Sequence, residues 1–307
     1  MTGQIPHASP LADRIAMAPP SDIERGHGGE GRVWLGRARR NRPTTLALLF
    51  LFAVGAIAAF PGAFGVPDPL VTAPRDAFLG PSRSYLFGSD DLGRDLFSRT
   101  VYGARVSLGT AFVVVVAAAA IGVPIGLIAG YREGLVDALV MRVIDVVLAF
   151  PAILLAMGLI AVIGAGWING ALAVTIVSIP AFARLTRASV LQEKSREYVM
   201  AARTVGAGTH QILVRTILPN CLGPLLVQAA FVATWAILLE AALSFLGLGV
   251  KPPTPSWGQM LSAGKTFLYR AWWYGFFPGL ALTLVVLSLN TLGETIQRIV
   301  QRGWRGL

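Results

Sequence analysis

Long apolar runs without charged residues alternate with short polar segments along this chain. A helix of about 20 apolar residues crosses the hydrocarbon core of a membrane, so each run of that length predicts one span. The third run is too long for one helix and is interrupted at the glycine-rich segment 164–170, so it predicts two spans. The predicted spans lie between Arg42 and Asp68, between Arg105 and Arg132, two between Asp145 and Arg184, from about 222 to 246, and from about 272 to 293. The pattern predicts an all-α, polytopic membrane protein with six transmembrane helices, of which the fourth is the shortest.

One polar segment, residues 195–220, lies between the fourth and fifth predicted spans and has a helical pattern of its own. Ser195 is a residue type that caps helix N-termini. Gly206 and Gly208 supply the positive φ that ends a helix and turns the chain. Thr209 is suited to cap a second helix. We therefore predict a helix-turn-helix in this segment.

The first helix of this segment has one face of small and apolar residues. Tyr198, Ala201, Ala202 and Val205 follow the i, i+3, i+4, i+7 spacing and so share that face. The second helix is expected to end at Pro219, which has no backbone N–H to donate. A shallow helical face between two membrane spans predicts a docking surface outside the membrane.

Composition and charge agree with a membrane protein. Hydrophobic residues make up 54% of the chain and charged residues 14%, whereas about a quarter of a soluble globular chain is charged; the mean hydropathy is +0.64. Cytoplasmic loops are rich in Lys and Arg, so we expect both termini in the cytoplasm and segments 66–104 and 247–271 outside. The net charge of +10 is then explained by topology, and it does not indicate nucleic-acid binding.

A polar tail precedes the first predicted span. The apolar part of a signal peptide is about 7–15 residues long, and the first run here is longer, so it is not expected to be a signal peptide. The tail is rich in Pro, Gly and polar residues and ends in four arginines, Arg37, Arg39, Arg40 and Arg42. We interpret residues 1–42 as a disordered cytoplasmic tail that fixes topology; a lipid-binding or regulatory role is the alternative.

Candidate catalytic and metal-binding chemistry is sparse in the sequence. Cys221 is the only cysteine, which excludes an internal disulfide and a CxxC metal site. His7, His27 and His210 are scattered, without the spacing of a metal site. Segment 258–266 resembles a phosphate-binding P-loop, but five residues separate its glycines where that loop has four. We expect no metal site, no nucleotide site and no enzymatic activity in this chain.

Three glycines and two carboxylates stand out in or near the predicted spans. Gly122, Gly126 and Gly130 recur every fourth residue, a spacing that lets two helix backbones approach closely. They predict either structural packing or a moving translocation interface.

Asp145 and Glu240 are of interest because carboxylates within a membrane are costly and often functional. The alternative for both is structural hydrogen bonding near the water interface.

Acidic and basic residues alternate between the first two predicted spans. The segment 87–104 is expected to form a compact outer element, with attractive i, i+4 pairs Asp90–Arg94 and Asp95–Arg99. Together with 252–258 it either frames an outer mouth where a binding protein docks or braces the helix ends.

The segment 195–220 resembles the cytoplasmic loop of ATP-binding-cassette importer permeases. That family's pattern is Glu-Ala-Ala, three residues, Gly, nine residues, Ile, one residue, Leu-Pro. The positions in register here are Ala201, Ala202, Gly206, Leu218 and Pro219. Met200 stands where Glu is expected and Thr216 where Ile is expected; Glu197, one turn before Met200, is a possible substitute for the missing acid.

Flanking sequence narrows the resemblance. FGSDDLGRDLFSRTVYGARVSL (87–108), LLEAALSFLGLGV (238–250) and PPTPSWG (252–258) resemble the C-type subunit of dipeptide and oligopeptide permeases. The resemblance covers roughly residues 45–300.

The resemblance implies a half-channel in the bacterial cytoplasmic (inner) membrane that imports peptides. It implies three kinds of partner: a second, non-identical permease subunit, two ATPase subunits that bind ATP and Mg, and an extracytoplasmic substrate-binding protein. It also implies that the ATPases couple to this chain through Glu197, Met200, Ala201, Ala202, Gly206, Leu218 and Pro219. The expected organisation is a tail (1–42), a first span with an outer segment (43–104), a five-helix permease core (105–299) and a cytoplasmic C-terminus (300–307).

Other functions remain open from the residues alone. Permeases of this kind have relatives that carry nickel, glutathione or other small solutes. An ion-coupled secondary transporter would need ionisable groups within the spans, for which only Asp145 and Glu240 are candidates. A purely structural membrane-assembly subunit would not need the predicted docking loop.

Overall fold

Helices make up almost all regular structure in the protein, whose computed structural model describes residues 42–304. The helices are α1 (Arg42–Ala59), α2 (Leu96–Arg132), α3 (Gly134–Leu148), α4 (Ala152–Ile163), α5 (Trp167–Glu193), α6 (Glu197–Thr204), α7 (Thr209–Gln211), α8 (Leu218–Phe245), α9 (Trp257–Thr266) and α10 (Trp273–Trp304). Within the described residues, β structure is limited to an isolated antiparallel bridge between Ser89 and Asp95. The predicted tail up to residue 41, with His7 and His27, and residues 305–307 lie outside the described part.

Five helices in residues 42–304 are long and apolar enough to cross a membrane: α1, α2, α5, the continuous helix Thr209–Phe245, and α10. The pair α3 and α4 passes the same test only together, and its halves are bent by 88° at the break between them. Pro151 lies in this break and disfavours helical geometry in the residue before it. Counting the pair as one broken span gives six, so the all-α polytopic fold is confirmed.

The predicted length order of the spans is wrong. The fourth span, α5, has 27 residues and includes Pro180, whereas α4, which stands at the predicted third span, has only 12. The length of an apolar run indicates how many residues lie in an apolar environment, but it does not indicate where the helix breaks or bends.

Helices α2 and α5 pack against each other along one row of glycines. A Cβ atom placed on Gly122 would lie 2.8 Å from the carbonyl oxygen of Ile179, and one on Gly130 would lie 2.9 Å from that of Arg187. A Cβ on Gly126 would meet the backbone of Ala183. The four-residue spacing therefore places the backbone of α2 directly on α5 of the same chain.

A second packing region joins α2, α8, α9 and α10. Trp257, at the start of α9, is 1% exposed and donates its indole N–H to the Thr100 carbonyl oxygen at 2.8 Å. Its ring lies where a side chain at Gly103 would otherwise be. The described residues from Pro43 onward form one compact unit.

The segment between α1 and α2 is folded around the buried carboxylate of Asp90. This carboxylate accepts hydrogen bonds from the backbone N–H groups of Leu92 and Arg94, both at 2.9 Å, and from Arg94 Nε at 2.6 Å. The expected Asp90–Arg94 pair is therefore present. The expected Asp95–Arg99 pair is not, because Asp95 instead caps α2 by accepting from the Ser98 N–H at 2.9 Å. Arg99 Nε lies 3.4 Å from Asp90 Oδ2, and burial raises the pKa of Asp95.

Candidate functional site

Helix α6 stands between the long helices α5 and α8 and exposes most of its surface. One residue, Val199, is fully buried and anchors the helix on the main hydrophobic core. On the other side Met200 is 50% exposed and Val205, just after the helix, is 88% exposed. Ala201 is exposed as well, whereas Ala202 is half-buried and packs on the core. The face open to a partner is therefore narrower than the sequence spacing predicts.

The turn after α6 depends on Gly206, whose φ is +83°. The N–H groups of Gly206 and Ala207 donate back to the carbonyl oxygens of Arg203 (2.9 Å) and Ala202 (3.0 Å), which closes the end of the helix. Gly208 has a φ of −67°, so the expectation of a second left-handed glycine is wrong.

Both predicted N-terminal caps in this segment are also wrong. Arg196, not Ser195, is the N-cap of α6, and it makes no side-chain cap; the Ser195 hydroxyl donates to the Gln192 carbonyl oxygen instead. Gly208 precedes α7, so Thr209 is already helical. The chain leaves α5 in a tight turn that uses Ser195 to satisfy the end of α5.

Pro219 does not end the second helix. A π-helical stretch, Ile212–Ile217, connects α7 to α8, and Pro219 lies in the first turn of α8. A proline cannot donate to the preceding turn, and the π-helical stretch just before Pro219 is of the kind found as single turns inside longer helices. The second helix of the loop and the fifth span are thus one helix, Thr209–Phe245.

Buried Glu193, at the end of α5, fixes α6. It is 4% exposed and accepts a hydrogen bond from the Tyr198 hydroxyl. Arg196 Nη2 lies 3.6 Å from its other oxygen. Burial, followed by the hydrogen bond to Glu193, raises the pKa of Tyr198 well above its ordinary value, so this phenol stays protonated and remains a donor.

Further contacts connect this region to the end of α2. Lys194 Nζ donates to the Gly130 carbonyl oxygen at 3.2 Å and pairs with Glu133. The Arg203 guanidinium lies 5.1 Å from the centre of the Tyr131 ring. A displacement of α6 would therefore be transmitted to both α5 and α2.

A bidentate ion pair also joins α3 to α5. Both oxygens of Asp137 accept from Arg187, each at 2.5 Å. Bidentate arginine–carboxylate pairs have a fixed geometry, so this contact holds the start of α3 against the C-terminal part of α5.

Asp145 pairs with Arg184 of α5. Arg184 Nη2 lies 2.5 Å from Asp145 Oδ1, and each side chain is 52% exposed. Arg184 also lines a cleft of about 380 Å³ between the α3–α4 bend, α5 and α8. Asp145 is therefore not a lone intramembrane charge.

Glu240 lies in α8 and is 5% exposed. Its carboxylate accepts hydrogen bonds from the hydroxyls of Ser244, at 2.8 Å, and Ser107, at 3.2 Å. It therefore connects α8 to α2 through a buried polar contact and lies apart from the Arg184 cleft.

The P-loop-like segment 258–266 is not a loop. It forms most of α9, which Ser256 caps by accepting from the Gln259 N–H at 3.3 Å. Gly258 packs on the backbone of Ala241, and Gly264 packs on the backbone of Gly275. Both glycines allow close helix packing and form no phosphate cradle.

Sequence reasoning missed the groups that connect the loop to the core. Glu193, Lys194 and Arg187 were not among the predicted site residues. Their partners Tyr198, Gly130 and Asp137 are 5, 64 and 50 positions away, beyond the reach of a helical spacing rule. The pairing of Asp145 with Arg184 had a visible indication, because these opposite charges bound the same uncharged run.

Known proteins share this sequence over most of its length. Residues 122–306 match the family model described as binding-protein-dependent transport system inner membrane component. The chain is 43% identical over 287 residues to the di/tripeptide transport system permease protein DppC of Pseudomonas aeruginosa, covering 91% of this chain and 94% of that protein. It is 46% identical over 266 residues to the dipeptide transport system permease protein DppC of Escherichia coli K12, covering 84% and 88%.

A solved structure has the same fold. It describes inward-facing conformations of the MetNI methionine ABC transporter and superposes with a TM-score of 0.55 at 21% identity. The match covers 66% of this chain and 96% of the solved one. At this identity the likeness concerns the arrangement of helices alone.

Proposed function

Because this chain belongs to the family of inner membrane components of binding-protein-dependent transport systems, we propose that it is the permease subunit of an ATP-driven importer of dipeptides and related short peptides. The names of its relatives support this substrate class. Its spans supply one half of the translocation path.

The other half of the path comes from a second, non-identical permease subunit. Two ATPase subunits bind ATP and Mg on the cytoplasmic side, and a substrate-binding protein delivers peptide on the outer side. The concentration of Lys and Arg around α6 and at both ends of the chain supports cytoplasmic termini and a bacterial inner-membrane location.

The observation that carries the proposal is the exposed apolar surface of α6. Met200, Ala201 and Val205 are open to solvent in an otherwise polar, basic segment. Exposed apolar side chains grouped in this way favour burial against another protein. We assign this surface to the ATPase, with Glu197 exposed beside it in place of the acid expected at Met200. Leu218 and Pro219 act differently: they lie in α8 and stiffen the connection to the fifth span.

The contacts of α6 suit transmission of movement. Tyr198 with Glu193 connects it to α5, and Arg203 with Tyr131 connects it to α2. The glycine row makes α2 and α5 one packed pair. Closure of the ATPases would thus move α6 and this helix pair together.

Uptake by the complete transporter in proteoliposomes tests the proposal. We expect a labelled dipeptide to accumulate only with ATP and the binding protein present, and accumulation to persist after a proton ionophore is added. Collapse of uptake by the ionophore would indicate ion coupling instead. Uptake of nickel or glutathione, with no dipeptide uptake, would contradict the proposed peptide substrate and indicate another substrate class.

A further inference from the structure

An ion pair with both side chains half exposed joins two helices of the candidate membrane spans. Arg184 and Asp145 are each 52% exposed. At 1.5 Å per residue, Arg184 lies about 25 Å along α5 from Trp167 and about 14 Å from Glu193. Charged side chains within a span face a protein interior or a water-filled cavity, and those near its end reach toward water. In either position the face of the chain around Arg184 is open to water or to another protein.

The Arg184 cleft opens on this face. Its volume of about 380 Å³ falls in the usual range of about 300–1,000 Å³ for ligand pockets. Three aromatic side chains and two uncharged polar side chains contribute to its wall: Phe150, Phe231, Trp235, Ser178 and Gln228. A wall of this kind accommodates apolar side chains and the amide groups of a peptide.

Arg184 is the one charged side chain among the residues that line this cleft in the described part of the chain. Asp145 does not line it, and it contacts the guanidinium through Nη2, which carries two N–H groups. The second N–H of Nη2, together with the neighbouring N–H on Nη1 or Nε, can therefore bind an anion. Arginine is suited to this role because its planar fork binds carboxylates in a bidentate geometry.

We propose that the Arg184 cleft binds the C-terminal carboxylate of the transported peptide, with Asp145 as a positioning residue that orients the guanidinium. This inference rests on the proposed function and adds a recognition site within the membrane subunit itself. The aromatic wall takes the adjoining side chain, and Gln228 is available for the peptide amide.

Cysteine protection in the complete transporter tests this site. Ala181→Cys places a thiol in the cleft wall one helical turn from Arg184. With Cys221→Ser and cysteine-free partner subunits, this thiol is the single cysteine in the transporter. The thiol is labelled with the neutral reagent N-ethylmaleimide in the presence of a dipeptide or of its C-terminal amide. Protection is expressed relative to the peptide-free rate of each variant, so changes in intrinsic reactivity cancel.

We expect the free acid to protect at a concentration about tenfold lower than the amide, or lower still, since hydrogen bonds to charged groups are the strong ones. Arg184→Gln should abolish the difference between acid and amide, and Arg184→Lys should retain part of it. The double variant Asp145→Asn with Arg184→Gln should behave like Arg184→Gln without leaving an unpaired carboxylate. Asp145→Asn alone should keep a preference for the acid.

Equal protection by acid and amide, or a difference that survives Arg184→Gln, would overturn the proposal. Slow labelling that neither peptide changes would also overturn it and would indicate that a partner subunit fills the cleft. Uptake of the same dipeptide by the wild-type transporter distinguishes failure of the proposed function from failure of the site assignment. If uptake is absent the proposed function fails, and if uptake occurs without carboxylate-dependent protection only the site assignment fails.

Discussion

Gly126 illustrates how a single residue sets the distance between two helices. The backbone of Ala183 and the side chain of Thr186 occupy the space where its side chain would be. The sequence spacing of Gly122, Gly126 and Gly130 indicated a close helix contact. It could not identify α5 as the partner, because a spacing rule describes one helix surface and not what covers it.

Gly126→Ala is expected to destabilise the protein by about 1–3 kcal/mol, since an added methyl group must push two backbones apart. Gly158→Ala in α4 is the matched control, because nothing lies within 4 Å of a Cβ there. Thermal unfolding of the purified transporter in detergent compares the two. Equal melting temperatures for Gly126→Ala and wild type would contradict the close contact.

Substitutions at Glu240 test whether its carboxylate has a structural role or takes part in transport. Glu240→Gln keeps an oxygen acceptor for Ser107 or Ser244, so we expect folded, transport-competent protein. Glu240→Leu removes both acceptors and leaves two buried hydroxyls to find other partners, at about 1–3 kcal/mol for each group left unsatisfied. A well-folded Glu240→Gln variant without uptake would favour the ion-coupling alternative.

Helix α6 and its turn were largely predictable as elements, and their ends were not. The spacing of Tyr198, Ala201, Ala202 and Val205 identified the exposed face except at Ala202, which is half-buried, and Gly206 identified the turn. The caps were misassigned because Ser195 serves the end of α5. Pro219 was misread because the π-helical stretch Ile212–Ile217 joins the loop helix to α8, whose first turn contains Pro219, and no local residue preference predicts such a stretch.

Gly206→Ala is expected to weaken this element by about 1–2 kcal/mol, because alanine is strained at positive φ. The cost comes from the backbone alone, since nothing lies within 4 Å of a Cβ at that position. Gly208→Ala has equal space and a φ of −67°, so it should be neutral. Proteolysis of the loop in purified transporter measures both, and similar cleavage rates would refute the role of Gly206.

At the scale of the whole molecule, the family resemblance and the helical membrane fold were predictable from the sequence and are confirmed. Apolar runs, charge placement and several long sequence words all indicated them. The α3–α4 bend was not predicted, although Pro151 lies in it. The Arg184–Asp145 pair had only an indirect indication, because its residues are 39 positions apart. These two features shape the Arg184 cleft.

The orientation in the membrane is tested by two surface cysteines in a Cys221→Ser background. Ser84, between α1 and α2, and Ser195, before α6, are both exposed. A membrane-impermeant maleimide should label Ser84→Cys in intact spheroplasts and Ser195→Cys only after lysis. The reverse pattern would invert the topology.

The central claim is that α6 couples this permease to ATP hydrolysis, and the most direct measurement is ATP-dependent dipeptide uptake by the Ala201→Asp transporter. Ala201 is exposed, so the variant should fold and assemble in the membrane while placing a charge in the docking surface. Ala63→Asp, at another exposed alanine, between α1 and α2, is the matched control. We expect Ala201→Asp to reduce uptake at least tenfold while Ala63→Asp stays near wild type; wild-type uptake by a well-expressed Ala201→Asp transporter would contradict the account.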